Sequence, residues 1–499
     1  MSATEVRVSR ARPSSLTGPL GASSAACIFA GLAVVFSVPE FPRPLFAIAV
    51  AGLALCLTRL SLPKEELQAR GYISYGNAFL VLAAIAYGIA LFGPDLPAVE
   101  RVRPGVVDRT NLVGIPIAIL CFFFGYRVSG RKFGLGNLGA VVAPPSNVLV
   151  QPLTLGCVYT ATVLVRGFSL VTGRLGFQRE VSVSGQVDFI GQVANEFGGF
   201  GNAVIALALL GYGKSRRRGY LLVAWAGVPI ELGLGALAGR KSFFLLAGLS
   251  VALILLYQGK LRARSLFAGA LVALLVIFPV IDGFRDEIGS QRQGGSIAAE
   301  DFVQLFGRST ANAADQWINE PTGLLTDTRD RVLERFRDVD RYALAVETHE
   351  DVPFENFETV PTTVAIRSVP RLLWPGKPVI RYGLEVSRTY YELPSQVVTA
   401  TSLSIVGDGY RYGGFLSLVV LMAAFGWVIR RFDIAFNHTQ SIWLLAAFAP
   451  LSDIIKLAEH SRVLPAAIRT TIILAVLMRL VLRPASAQPD SGWKRARQP

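Results

Sequence analysis

Gly239-Arg240-Lys241-Ser242 sets a guanidinium beside an ammonium in a turn of small residues. That pair is suited to a diphosphate, because Arg grips two oxygens in one plane while Lys adds a point charge. It is equally suited to snorkelling among lipid headgroups. A second basic group, Arg367-Ser-Val-Pro-Arg371-Leu-Leu-Trp374-Pro-Gly-Lys377-Pro-Val-Ile-Arg381-Tyr382, carries three prolines and a glycine. Proline fixes the backbone, so Arg367, Arg371, Trp374, Lys377 and Arg381 stand on a stiff platform, which lowers the ordering cost of binding. The cations suit phosphates. The indole suits a headgroup boundary or the apolar face of a sugar ring, and an interfacial Trp-Lys anchor is the plainer use of the same residues.

A third group, Ser402-Leu-Ser-Ile-Val-Gly-Asp408-Gly-Tyr410-Arg411-Tyr412-Gly-Gly, runs straight into an apolar stretch. Its glycines let the chain turn, which sets Asp408, Tyr410 and Arg411 at the mouth of a helix bundle. Asp408 is suited to orient or deprotonate an attacking hydroxyl if one lies within hydrogen-bond reach, or else to hold Arg411 in place; the sequence leaves both open. Glu231, in the apolar run upstream of Arg240, has the same ambiguity between an ion pair and a catalytic role.

Other chemistries find no motif. Lys214-Ser215 follows Gly213, but Ala208 stands where a Walker A loop needs glycine. His349, His438 and His460 share no metal-ligand spacing, and neither HExxH nor a serine nucleophile elbow occurs. Cys27, Cys56, Cys121 and Cys157 fall in or beside apolar runs with no disulfide or metal pattern.

The elements that must position these residues follow from composition. Of 499 residues, 52% are hydrophobic and 17% charged, too apolar for the surface of a soluble chain of this length. Long apolar runs, rather than alternating strands, select helices over a barrel, so the fold class is an all-α polytopic membrane protein. Apolar runs near 19–38, 43–58, 73–93, 111–127, 147–166, 197–213, 220–238, 243–258, 266–282, 412–429, 440–455 and 465–482 predict about twelve spans. The fifth is expected to end at Arg166 and the eleventh at Asp453 and Lys456. Arg7, Arg10 and Arg12 ahead of the first run resemble a signal peptide, but a second span follows at once, so a retained signal-anchor helix is expected.

Alternating the spans puts Arg59, Lys64, Arg70, Arg127, Arg131, Lys132, the Lys214-Ser-Arg-Arg-Arg218 connection, Lys260, Arg262, Arg264, Arg430 and Arg431 on one side. Short loops rich in Lys and Arg stay in the cytoplasm, so both termini (1–18 and 484–499) are expected inside. The net charge of +14 is thereby explained by topology, with no need of nucleic acid as a partner. Residues 19–282 then hold the first nine spans, 283–411 form one large extracytoplasmic loop, and 412–483 hold the last three. The loop is expected to fold partly on its own. Within it, residues 327–341 space Val332, Leu333 and Phe336 for a charged surface helix with an apolar stripe against the membrane domain.

Pro-Arg371-Leu-Leu-Trp374-Pro-Gly-Lys377-Pro, followed by the glycine and tyrosine stretch entering a span, resembles the bacterial oligosaccharide repeat-unit polymerases, the Wzy-type O-antigen polymerase family. The Gly-Arg-Lys-Ser turn is similar to a short Gly-Ser-Arg element of that family, whereas Gly376 stands where an acidic residue is common. The resemblance covers roughly residues 230–430 and the layout of many spans about one outer loop, and it implies a GT-C-like fold. It further implies glycosyl transfer on the outer face of the bacterial plasma membrane, building a surface or exo-polysaccharide. A polymer on polyprenyl diphosphate passes to a fresh lipid-linked repeat unit, with no nucleotide sugar and no cofactor. By that resemblance Arg240, Arg371, Lys377 and Arg381 hold the leaving diphosphate, and a flippase and a chain-length regulator are partners in the pathway; the resemblance does not fix the base, for which Asp408 is the candidate in this sequence. A ligase passing the glycan to lipid or protein is the nearest rival. A transporter predicts paired broken spans and short loops instead.

Overall fold

The computed structural model describes residues 43–61, 74–92, 112–129, 151–172, 189–237, 278–291, 299–369, 373–374, 377–378, 382–393 and 402–438, with isolated positions at 248–275, 465 and 468. All regular structure among them is helical. Four helices are long and apolar enough to cross a membrane: Arg43–Ser61, Tyr75–Phe92, Pro152–Val171 and Gly414–Ile434. Gly114–Ser129 and Gly201–Gly213 are shorter apolar helices. The chain is accordingly an all-helical membrane protein.

The first bundle joins α1 (Arg43–Ser61), α2 (Tyr75–Tyr87, continued by a 3-10 turn Ile89–Phe92), α3 (Gly114–Ser129) and α14 (Gly414–His438). Phe79, Phe122 and Phe425 meet at its centre with ring centroids 4.1, 5.5 and 5.7 Å apart. Helices α3 and α14 run side by side in the same direction and touch backbone to backbone. A Cβ on Gly125 would collide with the carbonyl of Ala423, and one on Gly426 with the carbonyl of Phe122. Glycine permits this approach, which replaces the hydrophobic drive that lipid cannot supply. One end of the bundle is closed by Asp433 of α14. Its carboxylate accepts from the Tyr75 and Gly76 amides (2.8 and 3.2 Å), the Ser74 hydroxyl (3.1 Å) and the Tyr126 hydroxyl (2.5 Å). A buried charge at the end of a span is thus satisfied by the orphan amides at the start of α2. Arg59, Arg127, Arg430 and Arg431 fall at this same end.

The second bundle is α4 (Pro152–Val171), α5 (Phe189–Ser215) and α6 (Arg218–Leu237). The sequence expectation that the fifth span stops at Arg166 is corrected: α4 continues to Val171. Arg166 is 1% exposed because its Nη1 donates to both carboxylate oxygens of Glu231 on α6, each at 2.6 Å. Pairing removes the penalty that otherwise bars an arginine from a span. Gly201 of α5 gives the pair its room, since a Cβ there would overlap Glu231 Oε1.

Between the two apolar parts run α7 (Phe278–Gln291), α8 (Ala299–Asn319), α9 (Pro321–Phe336), α10 (Asp338–Thr348), α11 (Thr359–Ser368), α12 (Tyr382–Thr389) and α13 (Ile405–Tyr410). The single helix expected over 327–341 is two helices. Arg337, at φ −79° and ψ 63°, interrupts it, and its Nε stands 2.5 Å from Asp340 Oδ2, so two buried opposite charges lie together at the break. Val339, Tyr342 and Ala343 of α10, Val386 of α12, and Leu403, Ile405 and Val406 join one hydrophobic core with Phe79, Ile115 and Leu418 of the first bundle. The loop helices α10, α12 and α13 therefore extend the membrane bundle instead of forming a detached unit.

Candidate functional site

The polar site sits where α13 turns into α14, at the end of the first bundle opposite Asp433. Ser404 starts α13 by accepting the Gly407 amide at 3.2 Å. One turn later the chain reverses through Gly413 and Gly414, and Gly414 has φ +65°, a left-handed conformation that glycine adopts without strain. Ser417 locks the reversal, donating to the Gly409 and Gly414 carbonyls at 2.7 and 3.0 Å.

This corner holds Asp408, Tyr410 and Arg411 together, as the spacing suggested. Asp408 is completely enclosed: its Oδ1 accepts the Tyr382 hydroxyl at 2.9 Å and stands 3.5 Å from Arg411 Nε. Of the two roles the sequence left open, this geometry is the one in which Asp408 holds Arg411. The Arg411 guanidinium lies over the rings of Tyr382 and Tyr412, 4.3 and 4.6 Å from their centroids. Its Nη2 donates to Glu355 Oε2 at 2.7 Å and to the Tyr412 hydroxyl at 2.9 Å, while Nη1, also buried, has no hydrogen-bond partner among the described residues. Burial opposes its charge, but Tyr382, Asp408, Tyr412 and Glu355 together raise its pKa above the ordinary arginine value.

Glu355 arrives from the 353–357 segment between α10 and α11. Its amide donates to the Arg411 carbonyl at 3.0 Å, so segment and corner are latched by backbone as well as by charge. Phe354 covers Gly414 and meets the Tyr410 ring at 5.7 Å, and Tyr410 meets Phe415 at 5.4 Å. The Glu355 side chain stays 32% exposed. Burial raises its pKa, Arg411 opposes the rise, and Glu385 and Asp408 add to it.

His349 closes the far side. The Val352 carbonyl at 2.7 Å can only accept, so Nδ1 carries the proton and Nε2 accepts the Tyr390 hydroxyl at 3.1 Å. Burial lowers the His349 pKa, the hydrogen bond to the Val352 carbonyl opposes the fall, and the Arg411 charge adds to it.

The basic platform is only partly visible. Arg367, on the last turn of α11, places its guanidinium 5.5 Å from the Tyr382 ring centroid, so it joins the same aromatic cluster as Arg411. Lys377 folds back and donates to the Val369 and Arg367 carbonyls at 2.7 and 3.4 Å, where it satisfies the open C-terminal end of α11. Leu373 and Trp374 project outward, 68% and 40% exposed. Arg371, Arg381, Arg240 and Lys241 lie outside the described residues, as does the Gly-Arg-Lys-Ser turn as a whole.

Sequence reasoning passed over Glu355 and Tyr390, took Tyr382 only as the end of the basic group, and weighed His349 only as a metal ligand. Phe354-Glu355-Asn356-Phe357, a single carboxylate between two phenylalanines, was the available signal. Among the described residues no cluster of His, Cys, Asp and Glu could hold a metal ion. A scan against protein-family models gives no match, and searches of curated proteins and of solved structures give none either.

Proposed function

We propose that this chain is a lipid-carrier-dependent glycosyltransferase of the bacterial plasma membrane that polymerises polyprenyl-diphosphate-linked oligosaccharide units on the outer face. The reading takes about twelve spans in a GT-C-like arrangement, cytoplasmic termini and a 283–411 loop that faces outward. One observation carries it: Arg411 is a desolvated guanidinium at the head of a membrane helix, with a bare Nη1 and one carboxylate, Glu355, still open to solvent. A bare, buried N–H is costly, and an incoming phosphoryl or hydroxyl oxygen would satisfy it.

In this reading the cations Arg240, Lys241, Arg371 and Arg381, with Arg411 behind them, stabilise charge on the leaving diphosphate as the glycosidic bond breaks. Trp374 offers its exposed face to a sugar ring or to the headgroup boundary. Lys377, engaged with carbonyls, shapes the platform rather than meeting phosphate in this state. Asp408 and Tyr382 fix the plane of Arg411.

The test is genetic and chemical. The host lacking this chain is complemented with wild type, Arg411→Ala, Arg371→Ala and Arg240→Ala at equal membrane abundance, and its glycans are resolved by gel and mass spectrometry. Accumulation of single lipid-linked units with loss of long polymer is the expected outcome. Polymer that persists without attachment would make the chain a ligase, and units retained inside would make it a flippase.

A further inference from the structure

We infer that Glu355 is the catalytic carboxylate of this site, taking the proton from the acceptor sugar hydroxyl through its Oε1. The inference rests on the glycosyltransferase reading above. Three observations converge on Glu355.

First, of the two carboxylates that meet Arg411, Asp408 is 0% exposed with the Tyr382 hydroxyl on its Oδ1, whereas the Glu355 side chain is 32% exposed. A substrate hydroxyl must come within about 3 Å of its base, and Glu355 alone offers that approach. Second, Glu355 is doubly fixed. Arg411 Nη2 holds Oε2 and the Arg411 carbonyl holds the Glu355 amide, which leaves Oε1 without a hydrogen-bond partner among the described residues. Third, its surroundings raise its proton affinity, as a general base needs: burial acts first, Arg411 opposes it, and Glu385 of α12 and Asp408 of α13 add to it. Tyr390 and Tyr412 are further titratable neighbours of Glu355 among the described residues.

The step balances without any outside reagent. The acceptor O–H gives its proton to Glu355 Oε1 as its oxygen bonds to the anomeric carbon. The bond from that carbon to the diphosphate oxygen breaks, and the leaving diphosphate keeps the electron pair. Glu355 then returns its proton to water.

The measurement uses full-length protein in vesicles, with lipid-linked repeat units extracted from the host lacking this chain as substrate. Glu355→Gln keeps an oxygen for Arg411 Nη2, so the latch survives while proton transfer is lost. Turnover should fall on the order of 100-fold or more, with KM within a few-fold of wild type. Wild type should also lose activity as pH falls and Glu355 protonates, whereas the residual activity of Glu355→Gln should lack that acidic limb. Glu355→Asp, which can still accept a proton, should retain the limb. A Gln variant within a few-fold of wild type and with an unchanged pH profile overturns the inference and leaves the glycosyltransferase reading standing. Wild-type vesicles that extend no unit overturn both.

Discussion

Tyr382 joins two functions in one side chain: its ring faces Arg411 and its hydroxyl serves the enclosed Asp408. Tyr382→Phe keeps the ring and removes the donor, so a buried carboxylate oxygen loses its hydrogen bond. A stability loss of about 1–3 kcal/mol is expected, read as a lower unfolding midpoint in detergent. Arg411→Lys is expected to be nearly as damaging as Arg411→Ala, because an ammonium cannot face both rings while bonding Glu355 and Tyr412. The glycan gel that resolves polymer length decides this. Asp338 of α10 gives a pH signature. Burial raises its pKa to about 6, against the pull of Arg341 and with the push of Asp340. The folded state then binds the proton more tightly than the unfolded chain, so this contribution is complete below the unfolded carboxylate pKa and is lost as pH rises to about 6. Protection of the α10 amides, taken relative to the intrinsic exchange rate at each pH, should therefore fall from about pH 4 to 6 in wild type, while Asp338→Asn shows no such fall. Equal pH dependence in both proteins would refute it.

Helix contacts set the next scale. Gly426→Ala drives a methyl into the Phe122 carbonyl across the α3–α14 seam, so the helices must part. Overpacking of this kind costs about 1–3 kcal/mol, and a lower midpoint with intact membrane insertion is the expected reading. Arg166→Met alone strands Glu231 in the second bundle and should cost about 3–5 kcal/mol, whereas Arg166→Met with Glu231→Met should recover much of that. If the double variant is no better than the single one, the pair is not simply a neutralised charge. The charge pattern near Arg337 teaches the same lesson. Residues 327–341 have the periodicity of one helix, but the buried Arg337–Asp340 pair places a break that periodicity does not encode.

At the scale of the molecule, the same end of the first bundle that holds Asp433 also holds Arg59, Arg127, Arg430 and Arg431, while Glu355 and Arg411 sit at the other end. In the topology proposed above, which follows the positive-inside rule, the first would be the cytoplasmic face and the second the external one. With the native cysteines removed, Asn356→Cys should react with a membrane-impermeant maleimide on intact cells. Ser215→Cys should react only after permeabilisation. The reverse pattern would invert the topology and remove the outer-face chemistry from this site. The loop packs its α10 and α13 helices into the membrane core, so its deletion should unfold the first bundle instead of releasing a free domain.

Composition and apolar run length by themselves determined that this is a helical membrane protein, because hydrocarbon forces every span to satisfy its own backbone. They also located α1, α2 with its 3-10 turn, α3 and α6 within about three residues at each end, whereas α4 is displaced by five, α5 starts eight residues earlier and α14 runs nine further. Asp408 and Arg411 were legible as a pair, since a separation of three residues on a helix brings them to one face. The tertiary structure alone decided which distant groups complete them. Glu355 is far from Arg411 along the chain, Tyr382 reaches Asp408 from another helix, and Arg166 meets Glu231 between two spans. The reason is physical: a buried charge must find an opposite partner somewhere, and local spacing states the need without saying which distant side chain meets it.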